Sequence, residues 1–115
     1  MSRVLFVSHN GDLRAVATRV LRRAGFEVTA APHGGHALLE CLGGAFETVV
    51  IEDRLPEGPG ATVAERLRRY CPEIRVVRMC DRGAGAAAHG PALQRPFTAE
   101  DLIAAIEPAT ISSAS

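Results

Sequence analysis

At 115 residues, 47% of them hydrophobic, the chain carries enough apolar surface for one core and too few residues for a second full domain. Thirteen basic residues, all Arg, balance thirteen Asp plus Glu, and this zero formal charge argues against a polycationic surface for nucleic acid. The complete absence of Lys excludes a lysine Schiff base and leaves Arg as the fixed cation for any site.

In chain order, short apolar runs alternate with helical periods, the pattern of βα units around a parallel sheet. A strand is predicted over residues 3–7. A helix follows in which Leu13, Val16, Ala17, Val20 and Leu21 recur at helical spacing to form one buried face, with Gly25 closing it. The next strand spans 27–30, and a second helix, 35–42, stops at Gly43-Gly44. A strand at 48–52 leads through a Pro/Gly-rich loop to a helix at 61–70, then a strand at 75–80. Only 14 residues, 81–94, separate Cys80 from Arg95, too few for a comfortable parallel crossover with a full helix, so a shortened fourth helical unit is expected before a strand at 92–94. Thr98-Ala99-Glu100-Asp101 reads as a capping box opening the last helix, with Leu102, Ile103 and Ile106 as its buried stripe. Residues 1–107 are expected to form the domain, and 108–115, small and polar, a flexible tail.

Three cysteines, Cys41, Cys71 and Cys80, are odd in number and lack metal-type spacing, which favours free, partly buried thiols over a disulfide frame. The start of the chain lacks a signal-peptide pattern and no apolar run approaches the roughly 20 residues of a membrane span, so a cytoplasmic protein with no membrane partner is expected.

Five stretches carry a resemblance. They are Val4-Leu5-Phe6-Val7-Ser8-His9-Asn10-Gly11-Asp12, Arg22-Arg23-Ala24-Gly25-Phe26-Glu27-Val28, the segment from Val49 through Glu52 to Leu55-Pro56 and Gly60, and Pro72-Glu73-Ile74-Arg75-Val76-Val77 with Arg95-Pro96-Phe97 further on. In register over about residues 3–107, they resemble the response-regulator receiver domains of bacterial two-component signalling. The resemblance implies a flavodoxin-like (βα)5 fold, a doubly wound five-stranded parallel sheet. It also implies a phosphoacceptor Asp at the end of the third strand, two acids holding Mg²⁺, a hydroxyl and a Lys on the phosphoryl oxygens, and a switch aromatic on the fifth strand.

Each of those positions is changed. Ser8 and His9 stand for the two acids, Glu52 for the nucleophile, Cys80 for the hydroxyl, Arg95 for the Lys and Ala92 for the aromatic. Replacing two carboxylates by a hydroxyl and an imidazole removes the charge that draws Mg²⁺ out of water, so no cofactor is expected and Mg²⁺ binding should be weak or lost. Glu52 either mimics part of the charge of a phosphorylated Asp or pairs with Arg95, whose fork suits a carboxylate. The expectation is a degenerate, or pseudo-, receiver that is not an enzyme. It would act by contact with a signalling protein such as a histidine kinase or another regulator, with homodimerisation allowed. Two alternatives stay open: a working relay phosphorylated at Glu52 or at the adjacent Asp53, otherwise a solvated loop carboxylate, or a thiol or metal sensor using Cys80 and His9. For a metal, His9 and Glu52 would need Asp12 or Cys80 to complete the set; for a thiol sensor, Arg78 or Arg95 would have to activate Cys80. His33, His36 and His89 are given no role.

Overall fold

Val4, Leu5, Phe6 and Val7 are all buried, and so is every residue of Thr48–Glu52. Strands covered on both faces read as continuous apolar runs, and these two lie at the centre of a parallel sheet. In the computed structural model, which describes residues 2–81, 92–95 and 97–106, the elements run β1 (Arg3–Val7), α1 (Gly11–Arg23), β2 (Glu27–Ala31), α2 (Gly34–Gly43), β3 (Thr48–Glu52), β4 (Arg54–Leu55), β5 (Gly58–Pro59), α3 (Gly60–Tyr70), β6 (Arg75–Asp81), β7 (Ala92–Arg95) and α4 (Ala99–Ile106). The five long strands form one sheet in the order β2-β1-β3-β6-β7, every pair parallel. The expected (βα)5-type sheet is therefore present. The fourth helical unit, His89 and the 108–115 tail fall outside the described residues.

Two apolar layers cover the sheet. One side packs Phe6, Val50, Val77 and Met79 against Ala17 and Leu21 of α1 and Leu102 and Ile106 of α4. The other packs Leu5, Val49 and Ile51 against Ala37 and Cys41 of α2 and Val63 and Leu67 of α3. The alternation of odd and even residues along β3 sends successive side chains to opposite layers.

Local chemistry explains the boundaries. Asn10 Oδ1 accepts from the Leu13 N–H at 3.1 Å and caps α1, and Gly25, at φ +98°, makes the left-handed turn that follows the helix. The capping box is realised with an Asp as its acid: Asp101 N–H donates to Thr98 Oγ1 and Thr98 N–H donates to Asp101 Oδ2, each at 3.0 Å. At the other end of α4, the Arg75 guanidinium donates to the carbonyls of Ile106 (3.0 Å) and Ala105 (3.2 Å).

Several expectations are corrected. β2, β6 and β7 each run one residue further, because the parallel ladders extend to Val7↔Ala31 and Asp81↔Arg95. Helices α2 and α3 each begin one residue earlier, at Gly34 and Gly60. Within the loop after β3, Arg54–Leu55 and Gly58–Pro59 pair as a two-residue antiparallel ladder. Val16 is not part of the buried face of α1 but 54% exposed, since Ala17 and Leu21 already fill the angle that faces the sheet.

Candidate functional site

Connections from β1 lead outward to β2, and the chain then crosses back to β3, so the direction of winding reverses between β1 and β3. The carboxyl ends of strands at such a reversal are where open α/β sheets place their sites. Val7 pairs with Ile51, which sets Ser8 level with Glu52.

Glu52 shares the sheet face of Val50 and is only 1% exposed. A carboxylate so buried needs donors, and the β1–α1 loop supplies them. Ser8 Oγ donates to Glu52 Oε2 at 2.8 Å, the His9 backbone N–H donates to the same oxygen at 2.8 Å, and His9 Nδ1 lies 2.8 Å from it. With Glu52 ionised, the imidazole holds its proton on Nδ1 and donates it. Ser8 is fixed in turn: Asn10 N–H donates to its Oγ at 3.1 Å, Arg14 Nη1 donates to its carbonyl at 2.7 Å, and its own N–H donates to Ala31 O at 3.1 Å. The far edge of the His9 ring reaches solvent, the residue's side chain being 54% exposed.

Asp53 points the other way. Its carboxylate pairs with Arg78 Nη1 across β3 and β6, and its N–H and carbonyl are held by Met79 O (2.7 Å) and Gly60 N–H (2.8 Å). Asp53 is 31% exposed and Arg78 only 8%, so the expectation of a solvated loop carboxylate is corrected. Arg78 sits on the face of Val76, where a buried guanidinium requires an anion and the residue after Glu52 provides one. Gly60 is obligatory here, since a Cβ on it would lie 2.0 Å from the Glu52 carbonyl oxygen.

Thus Ser8, His9 and Glu52 converge, whereas Asp53 turns away to Arg78. The Cys80 thiol is buried with its sulfur 4.0 Å from the Leu93 carbonyl oxygen. Ala92 and Arg95 are placed on β7 by backbone alone; their side chains, and with them the anticipated Glu52 to Arg95 bridge, lie outside the described residues. Among the described residues, no group of three or more His, Cys, Asp or Glu could hold a metal, Asp12 and Cys80 adding nothing to His9 and Glu52. No helix among those residues is long and apolar enough to cross a membrane.

Three contributors, Asn10, Arg14 and Glu57, went unassigned in the sequence, and Arg78 was considered only as a neighbour of Cys80. Asn10 was legible as an N-cap before a helical period, and Arg78 as a lone charge in the apolar run Val76-Val77-Arg78-Met79. Arg14 and Glu57 carried no such signal. The Glu57 carboxylate accepts from the Gly34 N–H at the start of α2, so the loop after β3 is tied to the neighbouring helix. Between them opens a cavity of about 740 Å³ lined by His9, His33, Gly34, Pro56, Glu57 and Arg66. His33 is the N-cap of α2, accepting from His36 N–H at 3.2 Å, and His36 Nε2 sits 3.2 Å from Glu40 one turn on.

The chain is 26% identical to the response regulator receiver protein CpdR of Brucella abortus (strain 2308), over 98% of this chain and 100% of that one. It is 32% identical to the transcriptional regulatory protein TcrA of Mycobacterium tuberculosis (strain ATCC 25618 / H37Rv), over 89% of this chain but 43% of the relative, so it spans less than half of that regulator. Among solved structures, the receiver domain of the hybrid histidine kinase CckA superposes with a TM-score of 0.81 at 26% identity, covering 93% of this chain and 97% of that one. No family model matches the sequence.

Proposed function

We propose that this chain, 26% identical over 98% of its length to a response regulator receiver protein and matching the fold of a kinase receiver domain, is a pseudo-receiver, a two-component signalling module that works through protein–protein contacts without phosphorylation of an Asp. One observation carries the reading: the carboxylate standing where the family keeps its phosphoacceptor is buried, and its Oε2 is engaged by Ser8 Oγ, His9 N–H and His9 Nδ1. An in-line phosphoryl transfer needs a carboxylate oxygen free to attack and a divalent cation to neutralise the developing charge. Here the residues at the two acidic positions donate hydrogen bonds to the nucleophile position.

Magnesium does not fit this set. Mg²⁺ takes hard oxygen ligands in an octahedron, and the cluster offers one carboxylate, one neutral hydroxyl and an imidazole directed at the carboxylate. The β1–α1 loop and the end of β3 are joined by these hydrogen bonds, so the site is held in a single arrangement and Glu52 supplies standing negative charge at the strand end. The protein then presents a constant surface to its partner, a histidine kinase or another regulator in the cytoplasm. An apolar groove between α1 and α4, of about 460 Å³ and lined by Leu13, Val16, Val20, Phe97 and Leu102, supports a docking role for that face, and the half-open position of Val16 belongs to it.

The test is intact mass after incubation with acetyl phosphate and Mg²⁺, run beside a Glu52→Asp variant. Neither form should gain a phosphoryl group, because Ser8 and His9 still lack the cation-binding charge. A stable phosphoryl gain on the natural protein, mapped to Glu52 or Asp53, sinks the reading and makes the chain an atypical relay component.

A further inference from the structure

The two helices that cover the Leu5/Val49/Ile51 side of the sheet meet at both ends. At their N-terminal ends the Glu57 carboxylate, just before α3, takes the Gly34 N–H of α2. At their C-terminal ends each helix carries a cysteine. Cys41 lies in the last turn and a half of α2, buried, while Cys71, half-buried, is the residue that ends α3, its N–H donating to Leu67 O at 2.9 Å. Both pack into the same apolar cluster. The Cys71 sulfur reaches 4.0 Å from the carbonyl oxygen of Gly44, the residue that closes α2 one turn beyond Cys41.

We infer that Cys41 and Cys71 are a modification site, a thiol pair that a hydroperoxide converts to an intramolecular disulfide joining the C-terminal ends of α2 and α3. The half-exposed Cys71 reacts first. Its thiolate attacks the peroxide, the O–O bond breaks, the sulfur becomes a sulfenic acid and one oxygen leaves as hydroxide or alkoxide. The Cys41 sulfur then attacks the Cys71 sulfur, the S–S bond forms as the S–O bond breaks, and the departing hydroxide takes the Cys41 proton to leave as water. Two thiols are oxidised by two electrons and one peroxide is reduced.

Burial, followed by the neighbouring Cys71, pushes the Cys41 thiol from its ordinary 9.0 up to about 12, so the second step is slow at neutral pH and accelerates in alkali. The pair stays reduced under mild conditions and closes under sustained oxidant. Cys80, buried against Leu93 on β7, takes no part.

The experiment treats the natural folded protein with hydrogen peroxide, then denatures, alkylates and digests it with trypsin without reduction. Peptides 24–54 and 70–75 should appear joined through Cys41 and Cys71, should separate on treatment with dithiothreitol, and should join several-fold faster in mildly alkaline buffer. A Cys80→Ser variant should give the same link. Recovery of both peptides separately, with Cys71 either alkylated or overoxidised to the sulfinic acid, overturns the inference, as does a link that involves Cys80 or a second molecule.

Discussion

The middle of the sheet and its C-terminal rim are built on opposite terms. Val4 to Val7 and Val49 to Ile51 are held by many interchangeable apolar contacts from two helical layers, whereas at the rim Glu52 and Arg78, both buried, depend on a few directed partners. A loss in the first region is spread over neighbours that can relax. At the rim the same loss strands a particular polar atom. The stability of the fold and the character of the site are therefore separable.

Truncations make that separation measurable. Leu21→Ala in the fully buried face of α1 should lower unfolding free energy by about 3 kcal/mol, read from urea denaturation, while leaving any partner affinity of the folded fraction unchanged. Ser8→Ala removes one donor from the buried Glu52 and should lower stability by about 2 kcal/mol. The difference would show as a shift of the His9 ring resonances, which Leu21→Ala should not produce. If Ser8→Ala is silent in both, the rim is not held in the way described.

Asp53→Asn leaves Arg78 with a weaker partner and, as Asp53 is partly exposed, should cost about 1 kcal/mol. Adding Arg78→Met should recover most of it, and a double-mutant cycle with no coupling would remove the pair from the account. Thr98→Ala, which opens the capping box of α4, should cost about 1 kcal/mol or slightly less in thermal or urea unfolding.

The smallest effect at neutral pH comes from Cys41. Its folded-state pKa is raised from 9.0 to about 12, so the unfolded chain loses this proton first as pH rises. Its contribution to stability is fully present below 9.0 and is lost between 9.0 and about 12. Urea midpoints should fall across that window, and Cys41→Ala should flatten the fall.

Legibility in the sequence followed the same division. The runs at β1 and β3 marked those strands residue for residue and the helical period of α1 marked that helix, because burial on both faces or on one stripe leaves a periodic trace. The α4 capping box was also readable, as its two partners lie three residues apart. Val16 was misplaced because periodicity assigns a face but not how wide that face must be once Ala17 and Leu21 have filled it. At the site, the types Ser8, His9 and Glu52 were readable by position. That Glu52 turns onto Ser8 and His9 while Asp53 turns onto Arg78 was not, since these partners lie 25 to 44 residues apart.

By itself, then, the sequence determined a parallel α/β sheet of the receiver kind, because apolar periodicity and residue identity are local properties. Only the tertiary structure decided which buried charge meets which donor, and that Cys41 and Cys71 share one cluster. Those outcomes depend on how strand register and helix packing bring distant segments together, and a buried polar group takes whatever partner that register sets beside it.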